Sequence, residues 1–206
     1  MGFYDRWILP SVLDFAMRQA PFPKQRAKVI PRAQGRILEV GIGSGLNLAF
    51  YDRSKVTKLF GLDPSAELRR RAVKRSKEAS LEVEFIGLSG EEIPLDDASV
   101  DTVVTTFTLC TIPDGMAALG EMRRVLRPGG ELLFAEHGLA PDVGVAKWQD
   151  RLSPYWKHLA GGCHLNRKIA EMVPAAGFEV SALERAYLPG PRPMSYHYWG
   201  AGVRPA

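Results

Sequence analysis

The stretch Arg36-Ile-Leu-Glu-Val-Gly-Ile-Gly-Ser-Gly-Leu-Asn47 constrains this chain more than any other, because an apolar run passes without a break into three glycines at alternate positions. Ile37, Leu38 and Val40 read as a short buried parallel strand. Gly41, Gly43 and Gly45 read as a turn where the main chain bends sharply and approaches a ligand with no Cβ in between. Leu46 to Tyr51 is expected to open a helix.

The third glycine separates two ligand classes. A dinucleotide turn has G-x-G-x-x-G, whose last glycine lets the helix N-terminus meet a pyrophosphate. Here Leu46 stands at that place, and Glu39 precedes the first glycine by two residues. A carboxylate beside the turn repels a pyrophosphate and suits a cation, which ranks a nicotinamide oxidoreductase lowest. With Glu-x-Gly-x-Gly-x-Gly from Glu39 to Gly45, the chain resembles class I methyltransferases that use S-adenosylmethionine. The resemblance implies that cofactor, its product S-adenosylhomocysteine, and contacts from Glu39, Gly41, Gly43, Ser44, Gly45 and Asn47.

Lys58 to Asp63 reads as the second strand, ending in an acid roughly 20 residues past the turn, where a Rossmann-like fold places the carboxylate that accepts both ribose hydroxyls. Asp63 with Pro64 is also a good helix start, so Asp63 could cap while facing a ribose, with Pro64 and Ser65 beside it. Leu81 to Ile86 alternates as a third strand. The loop Gly87 to Pro94 resembles the one that flanks adenine in these enzymes; Ser89 stands where the family commonly has an Asp, and Gly90 and Glu91 are the next contacts.

Asp101 to Leu109 is expected to be the fourth strand, with Thr106, Phe107 and Leu109 at the end facing the reacting methyl. It lacks the [ND]-P-P-[YF] of amine and amide methylases and the Pro-Cys nucleophile of cytosine C5 methylases; Cys110 reads as a small core thiol. A helix over 115–126 and Arg124-Val-Leu-Arg-Pro-Gly-Gly130 lead into a fifth strand, Glu131 to Glu136, a phrase that resembles methyltransferases related to ubiquinone and menaquinone biosynthesis. Glu136-His137 follows at the carboxyl end of that strand, where open α/β sheets place ligands. His137 is the candidate catalytic base or substrate orienter, since neutral imidazole can take a proton near neutral pH, and Glu136 is expected to orient its ring. A His that only fixes the next loop is the competing reading.

Residues 148–167 crowd aromatic and polar side chains suited to a small pocket, with Trp148, Tyr155, Trp156 and His164 as candidate substrate contacts, although helical packing accounts for the tryptophans as well. Asn166 is expected to cap a helix from Arg167 to Ala176 that stops at Gly177, and residues 178–188 and 194–203 to form a terminal strand pair. Thr-Leu-Cys-Thr-Ile at 108–112, Ala-Glu-His at 135–137 and Trp156 with Gly-Gly-Cys163 resemble the methyltransferase-like seven subfamily, whose animal members methylate small thiols and associate with lipid membranes. Bacterial proteins of similar plan include phospholipid N-methyltransferases.

The N-terminal stripe Trp7, Ile8, Val12, Phe15 and Ala16 carries three open readings: a packed helix, a lid with Tyr4 as a contact, or a membrane-surface face over residues 3–20. The chain begins without the hydrophobic anchor of those animal members, which weighs against residence in a membrane. With 206 residues, 46% hydrophobic and 24% charged, one α/β domain is expected, with a helical lid segment at 1–34 and the methyltransferase domain at 35–206. Net charge is +4, and the basic run Arg69 to Lys77 reads as a solvated helix face, so no nucleic-acid partner is expected. Two cysteines outside any C-x-x-C spacing argue against a zinc site and a disulfide framework and favour the cytoplasm. No apolar run reaches membrane-spanning length.

The fold expected is therefore a Rossmann-like seven-stranded class I methyltransferase sheet with a reversed last strand and helices on both faces. The activity expected is methyl transfer from S-adenosylmethionine to a small-molecule or lipidic acceptor, such as a thiol, phosphatidylethanolamine or a quinone precursor. A non-catalytic S-adenosylmethionine sensor is the alternative from another class. Acceptor atom and oligomeric state stay open.

Overall fold

The computed structural model describes residues 8–206; Tyr4 and Trp7 lie outside them. Seven strands form one sheet in the order β3 (Val83–Ile86), β2 (Val56–Leu62), β1 (Gly35–Val40), β4 (Val100–Thr106), β5 (Leu126–His137), β7 (Tyr196–Val203), β6 (Glu179–Tyr187). The first five run parallel, while β7 pairs antiparallel with both β5 and β6. The reversed strand is thus inserted between β5 and β6. The order changes direction between β1 and β4, and ligands of open α/β sheets bind at the carboxyl ends beside such a switch.

Alternation along the strands sorts side chains to two faces. Leu38, Val103, Leu132, Phe134 and Tyr198 enter one core with Leu119 and Met122 of α4 (Gly115–Val125) and Val173 of α6 (Ile169–Ala175). Ile37, Val104, Leu133, Ala135 and Trp199 enter the other, with Val29 of α2 (Phe22–Val29). Burying each large side chain contributes about 1.5–3 kcal/mol, so both faces are closed by apolar packing. The parity also places Glu39, Thr106, His137 and His197 on the second face, because they continue the series of Ile37, Val104, Ala135 and Trp199. Glu136 falls on the first.

Helix α3 (Ala66–Glu78) starts at Ser65, whose hydroxyl accepts from Leu68 N–H at 3.3 Å, so Ser65 and not Asp63 is the cap. Asp114 caps α4 by accepting from the N–H groups of Met116 and Ala117. The helix expected from Leu46 shrinks to one 3₁₀ turn, Leu48–Phe50. Asn47 and Tyr51, flanking it, both donate to Glu39. Asn166 caps nothing: its amide donates to Asp150, and α6 begins later, at Ile169. The fourth strand stops at Thr106, where Phe107 takes a left-handed φ of 55°, an uncommon conformation for a bulky side chain.

Two further expectations change. Of the N-terminal stripe, Ile8, Val12 and Phe15 face outward, with Phe15 68% exposed, while α1 (Leu9–Met17) buries Leu9, Pro10 and Asp14. The basic run of α3 is only partly a solvated face, since Arg75 turns inward to Asp14 and to the Ser44 carbonyl, and Arg69 donates to the Asp63 carbonyl.

Candidate active site

A cavity of about 1080 Å³ opens at the carboxyl ends of β1, β2, β4 and β5. Glu39, Gly41, Gly43, Ser44, Asn47, Asp63, Pro64, Ser65, Ser89, Gly90, Thr106 and Phe107 all line it, as do His137 and Trp156. Gly43, at φ 53°, leaves open space where a Cβ would stand, with nothing closer than 3.9 Å. Gly45 serves a different purpose: a Cβ there would meet the Ala72 backbone at 3.0 Å, so this glycine lets α3 pack against the turn and does not line the cavity.

Glu39 is 1% exposed and holds the turn together. Its Oε1 accepts from Asn47 Nδ2 at 2.9 Å and its Oε2 from the Tyr51 hydroxyl at 2.7 Å, while the same Asn47 nitrogen donates to Thr106 Oγ1 at 2.9 Å. Burial pushes the Glu39 carboxyl up to about 7, against the pull of Tyr51, Asn47 and Arg26. Burial likewise lowers Arg26 to about 10, with Glu39 acting the other way. Arg26 donates to the Met17 carbonyl at 2.9 Å and lies over the Phe107 ring, yet its Nε has no partner among the described residues.

Asp63 Oδ2 accepts from Gly43 N–H at 3.0 Å and Oδ1 from Ser65 N–H at 2.8 Å. These bonds aim the carboxylate along the cavity wall and leave lone pairs for a diol. Burial raises its pKa. Ser89 and Gly90 reach the cavity, whereas Glu91 turns away, accepting from the Ser89 hydroxyl at 2.7 Å and from Asp114 N–H at 2.7 Å. Leu109 is fully buried in the first core and lines nothing.

Toward β5 the wall changes character. His137, 6% exposed, lies at the end of β5 with Nδ1 3.8 Å from Cys163 Sγ, and that sulfur is 3.7 Å from Cys110 Sγ. Hydrogen bonding from Cys110 outweighs burial, and with His137 adding to it the Cys163 thiol falls to about 5; Cys110 is pushed up by that same contact and by burial. The two thiols shift in opposite directions because they share one contact. His137 Nε2 has no partner among the described residues. His197 of β7 pairs in register with His137, and burial lowers its pKa to about 3. Phe22, Phe107 and His197 form an aromatic wall there, with ring centroids 5.1 to 6.0 Å apart. β2 and β5 are three strand spacings apart, so Asp63 and this cluster stand about 14 Å from each other along the sheet.

Glu136 does not orient the His137 ring. Adjacent strand residues face opposite sides of the sheet, and Glu136 accepts from Thr105 Oγ1 at 2.9 Å and from the N–H groups of Thr108, Leu109 and Cys110 at 3.2, 3.1 and 3.4 Å. Burial pushes its carboxyl up to about 7 against these four donors. It thereby fixes the loop that carries Cys110. Of the other expected substrate contacts, Trp148 and Tyr155 point outward from α5 (Val143–Leu159), 53% and 71% exposed, because Gln149, Ser153 and Trp156 define its inner face. His164 lies outside the cavity wall, with Nδ1 3.3 Å from the Cys110 carbonyl. Tyr4 is outside the described residues.

Sequence reasoning missed Asp14, Arg26, Tyr51, Cys110, Cys163 and His197 as a working set. Only the cysteines and histidines carried a signal, as residue types competent for chemistry.

Residues 38–134 match the family described as "Methyltransferase domain". Thiol S-methyltransferase TMT1B of Homo sapiens is 36% identical over 186 residues, covering 86% of this chain and 75% of that protein. Phosphatidylethanolamine N-methyltransferase of Cereibacter sphaeroides is 36% identical over 146 residues, covering 68% of each. The structure of geranyl diphosphate methyltransferase in complex with S-adenosylmethionine superposes with a TM-score of 0.69 at 13% identity, covering 88% of this chain and 84% of that one, a likeness of fold alone. Sheet order, glycine turn and these likenesses agree, and the chain belongs to the class I S-adenosylmethionine-dependent methyltransferases.

Proposed function

We propose that this protein binds S-adenosylmethionine between Asp63 and Glu39 and transfers its methyl group to the sulfur of a small thiol. The observation that carries the reading is the division of one cavity into a polar end at β1 and β2 and a sulfur-and-imidazole end at Cys110, His137 and Cys163. At the polar end the residues fit the cofactor. Asp63 suits the ribose diol, Ser89 and Gly90 flank the base, and Gly43 leaves room for close approach. The buried Glu39 carboxyl and Arg26 guanidinium suit an amino acid's ammonium and carboxylate, and Arg26 Nε has no partner among the described residues.

The bound cofactor supplies an electrophilic methyl on a cationic sulfur, so the chain's task is alignment and preparation of the nucleophile. His137 is the residue we assign to preparing the acceptor, and Trp156, Phe107 and His197 wall it in. The Homo sapiens relative, a thiol S-methyltransferase by name, supports the acceptor class. Segment 1–34 acts in this reading as a lid: Leu9, Pro10, Leu13, Asp14 and Met17 of α1 line the cavity.

A second reading, a lipidic amine acceptor reached at a membrane surface, is favoured by the outward apolar face of α1 with Val12 and Phe15 and of α5 with Trp148 and Tyr155. The Cereibacter sphaeroides relative is named for such an acceptor. Among the described residues no helix is long and apolar enough to cross a membrane.

The test is incubation with methyl-labelled S-adenosylmethionine and either small thiols or vesicles containing phosphatidylethanolamine. Label on the thiol, lost in His137→Ala while S-adenosylhomocysteine still binds, supports the first reading. Label in the lipid alone overturns it in favour of the second.

A further inference from the structure

We propose that Cys110, His137 and Cys163 hold one zinc ion, and that its fourth coordination position takes the acceptor's sulfur as a thiolate. The inference rests on the thiol-acceptor reading and deepens it, giving His137 a ligand's part in place of direct proton transfer.

The geometry is that of a three-ligand site. Zinc bound by thiolates at about 2.3 Å and imidazole at about 2.1 Å in tetrahedral array sets sulfur–sulfur separations near 3.8 Å and sulfur–nitrogen separations near 3.6 Å. Cys163 Sγ lies 3.7 Å from Cys110 Sγ and 3.8 Å from His137 Nδ1, and all three ligand atoms stand within 4.8 Å of one another. Rotation of one side chain closes the last separation. The three groups are a Cys₂His set, soft donors that select zinc among abundant divalent ions, and a set used where the fourth position is kept for water or substrate.

The cluster is held in place and opens on the cavity. His137 is 6% exposed and packs edge-on against the His197 ring, centroids 5.7 Å apart, with its Nδ1 turned to the Cys163 sulfur. All three residues line the cavity, so the open side of the site faces the acceptor. The supports are independent of one another. Glu136 pins the backbone of Cys110, β5 presents His137, and the stretch after α5 delivers Cys163. Each of the three stretches that resemble the thiol-methylating subfamily, 108–112, 135–137 and 156–163, contributes one member.

The chemistry closes. An acceptor R–SH displaces water from the ion and releases its proton to solvent as it binds, because a coordinated thiol is deprotonated outright. A lone pair of the bound sulfur forms the new bond to the methyl carbon while the carbon–sulfonium bond breaks. That pair stays on the cofactor's sulfur, yielding neutral S-adenosylhomocysteine. The thioether R–S–CH₃, now uncharged and a weak ligand, leaves to water.

The test uses the reduced full chain, stripped with a chelator and titrated with Co²⁺ in the absence of S-adenosylmethionine. One equivalent should bind with thiolate-to-cobalt charge-transfer absorption and the intense visible bands of tetrahedral cobalt, and one equivalent of Zn²⁺ should displace it. A small thiol should then shift the visible bands. Cys163→Ser and Cys110→Ser should each diminish the charge-transfer band and weaken zinc by more than the roughly 10–100-fold that changes around a metal's ligands cost. Failure of the wild-type chain to take up a stoichiometric ion, or a cobalt spectrum unchanged in both variants, overturns the site. A stripped chain that methylates thiols at an undiminished rate overturns it too, and leaves the thiol reading standing. A bound cobalt whose spectrum ignores every thiol offered overturns the acceptor as fourth ligand.

Discussion

Asp14 of α1 accepts two hydrogen bonds from Arg75 of α3, at 2.7 and 3.1 Å, and a third from the Ser44 hydroxyl at 2.5 Å. One carboxylate therefore ties the helix over the cavity both to the glycine turn and to the helix behind it. Burial raises its pKa, but the bonds from Arg75 and Ser44 outweigh that and hold it below its usual value. Such a depressed carboxyl contributes stability above its unfolded pKa, and that contribution is lost as pH falls through the folded one. Asp14→Ala should release α1 at a cost of about 1–3 kcal/mol, since Arg75 and Ser44 lose their partner. Calorimetric titration should then show weaker S-adenosylhomocysteine binding with the domain still folded by circular dichroism. Unchanged affinity would deny α1 a lid's function.

Glu136→Gln isolates the scaffold of the acceptor end. The carboxylate's Oε1 accepts from Thr105, Thr108 and Leu109, and its Oε2 from Cys110. An amide keeps one acceptor and turns an NH₂ group toward a backbone donor, which should cost about 1–3 kcal/mol and displace Cys110. Urea unfolding should show the loss, and methyl transfer should fall further than cofactor binding does.

How far the sequence reached depends on whether a feature is local. The glycine turn and the strand pattern were readable because each rests on neighbours a few residues apart, and Asp63 because it ends the second strand at a set distance, roughly 20 residues, past the turn. The pairing of Cys110 with Cys163 joins positions 53 apart, and no spacing rule for metal or disulfide sites covers a contact made by the fold itself. Glu136 and His137 are a different lesson. Strand periodicity already forbids adjacent residues from meeting on one face, so the orienting role assigned to Glu136 overlooked a rule the sequence contained. Asp14 gave no signal, since one acid on an amphipathic helix ordinarily faces water.

The phase of α5 separates two tryptophans. Trp156 lines the cavity, while Trp148 is exposed beside Arg151. Trp156 is half-buried, and if the acceptor completes its burial, worth up to about 1.5–3 kcal/mol, Trp156→Ala should raise KM for the acceptor by roughly 10-fold. Trp148→Ala should leave KM for a soluble thiol unchanged. Steady-state kinetics on both variants checks the pair, and equal effects would misplace the acceptor.

Glu39 gives the cavity a pH dependence whose sign can be worked out. Its carboxyl is neutral more often in the folded chain, with a pKa of about 7, than in the unfolded one at 4.5. Between those values the folded state binds more protons, so this group's contribution to stability falls as pH rises from about 4.5 to about 7. Ligand binding runs the other way. An ammonium placed beside Glu39 favours the ionised form, so S-adenosylhomocysteine should bind more tightly at pH 8 than at pH 6, by up to about 10-fold, with a proton released on binding. Calorimetry in two buffers of different ionisation enthalpy measures both quantities. Glu39→Gln should flatten the profile and release no proton, since the amide carries no charge to recover. It should also weaken the bonds from Asn47 and Tyr51 that shape the turn, so lower affinity at every pH is expected alongside the flat profile. A Glu39→Gln chain that kept the full pH dependence would move the titrating group elsewhere in the cavity, with Asp63, raised by burial, the next carboxylate on the wall.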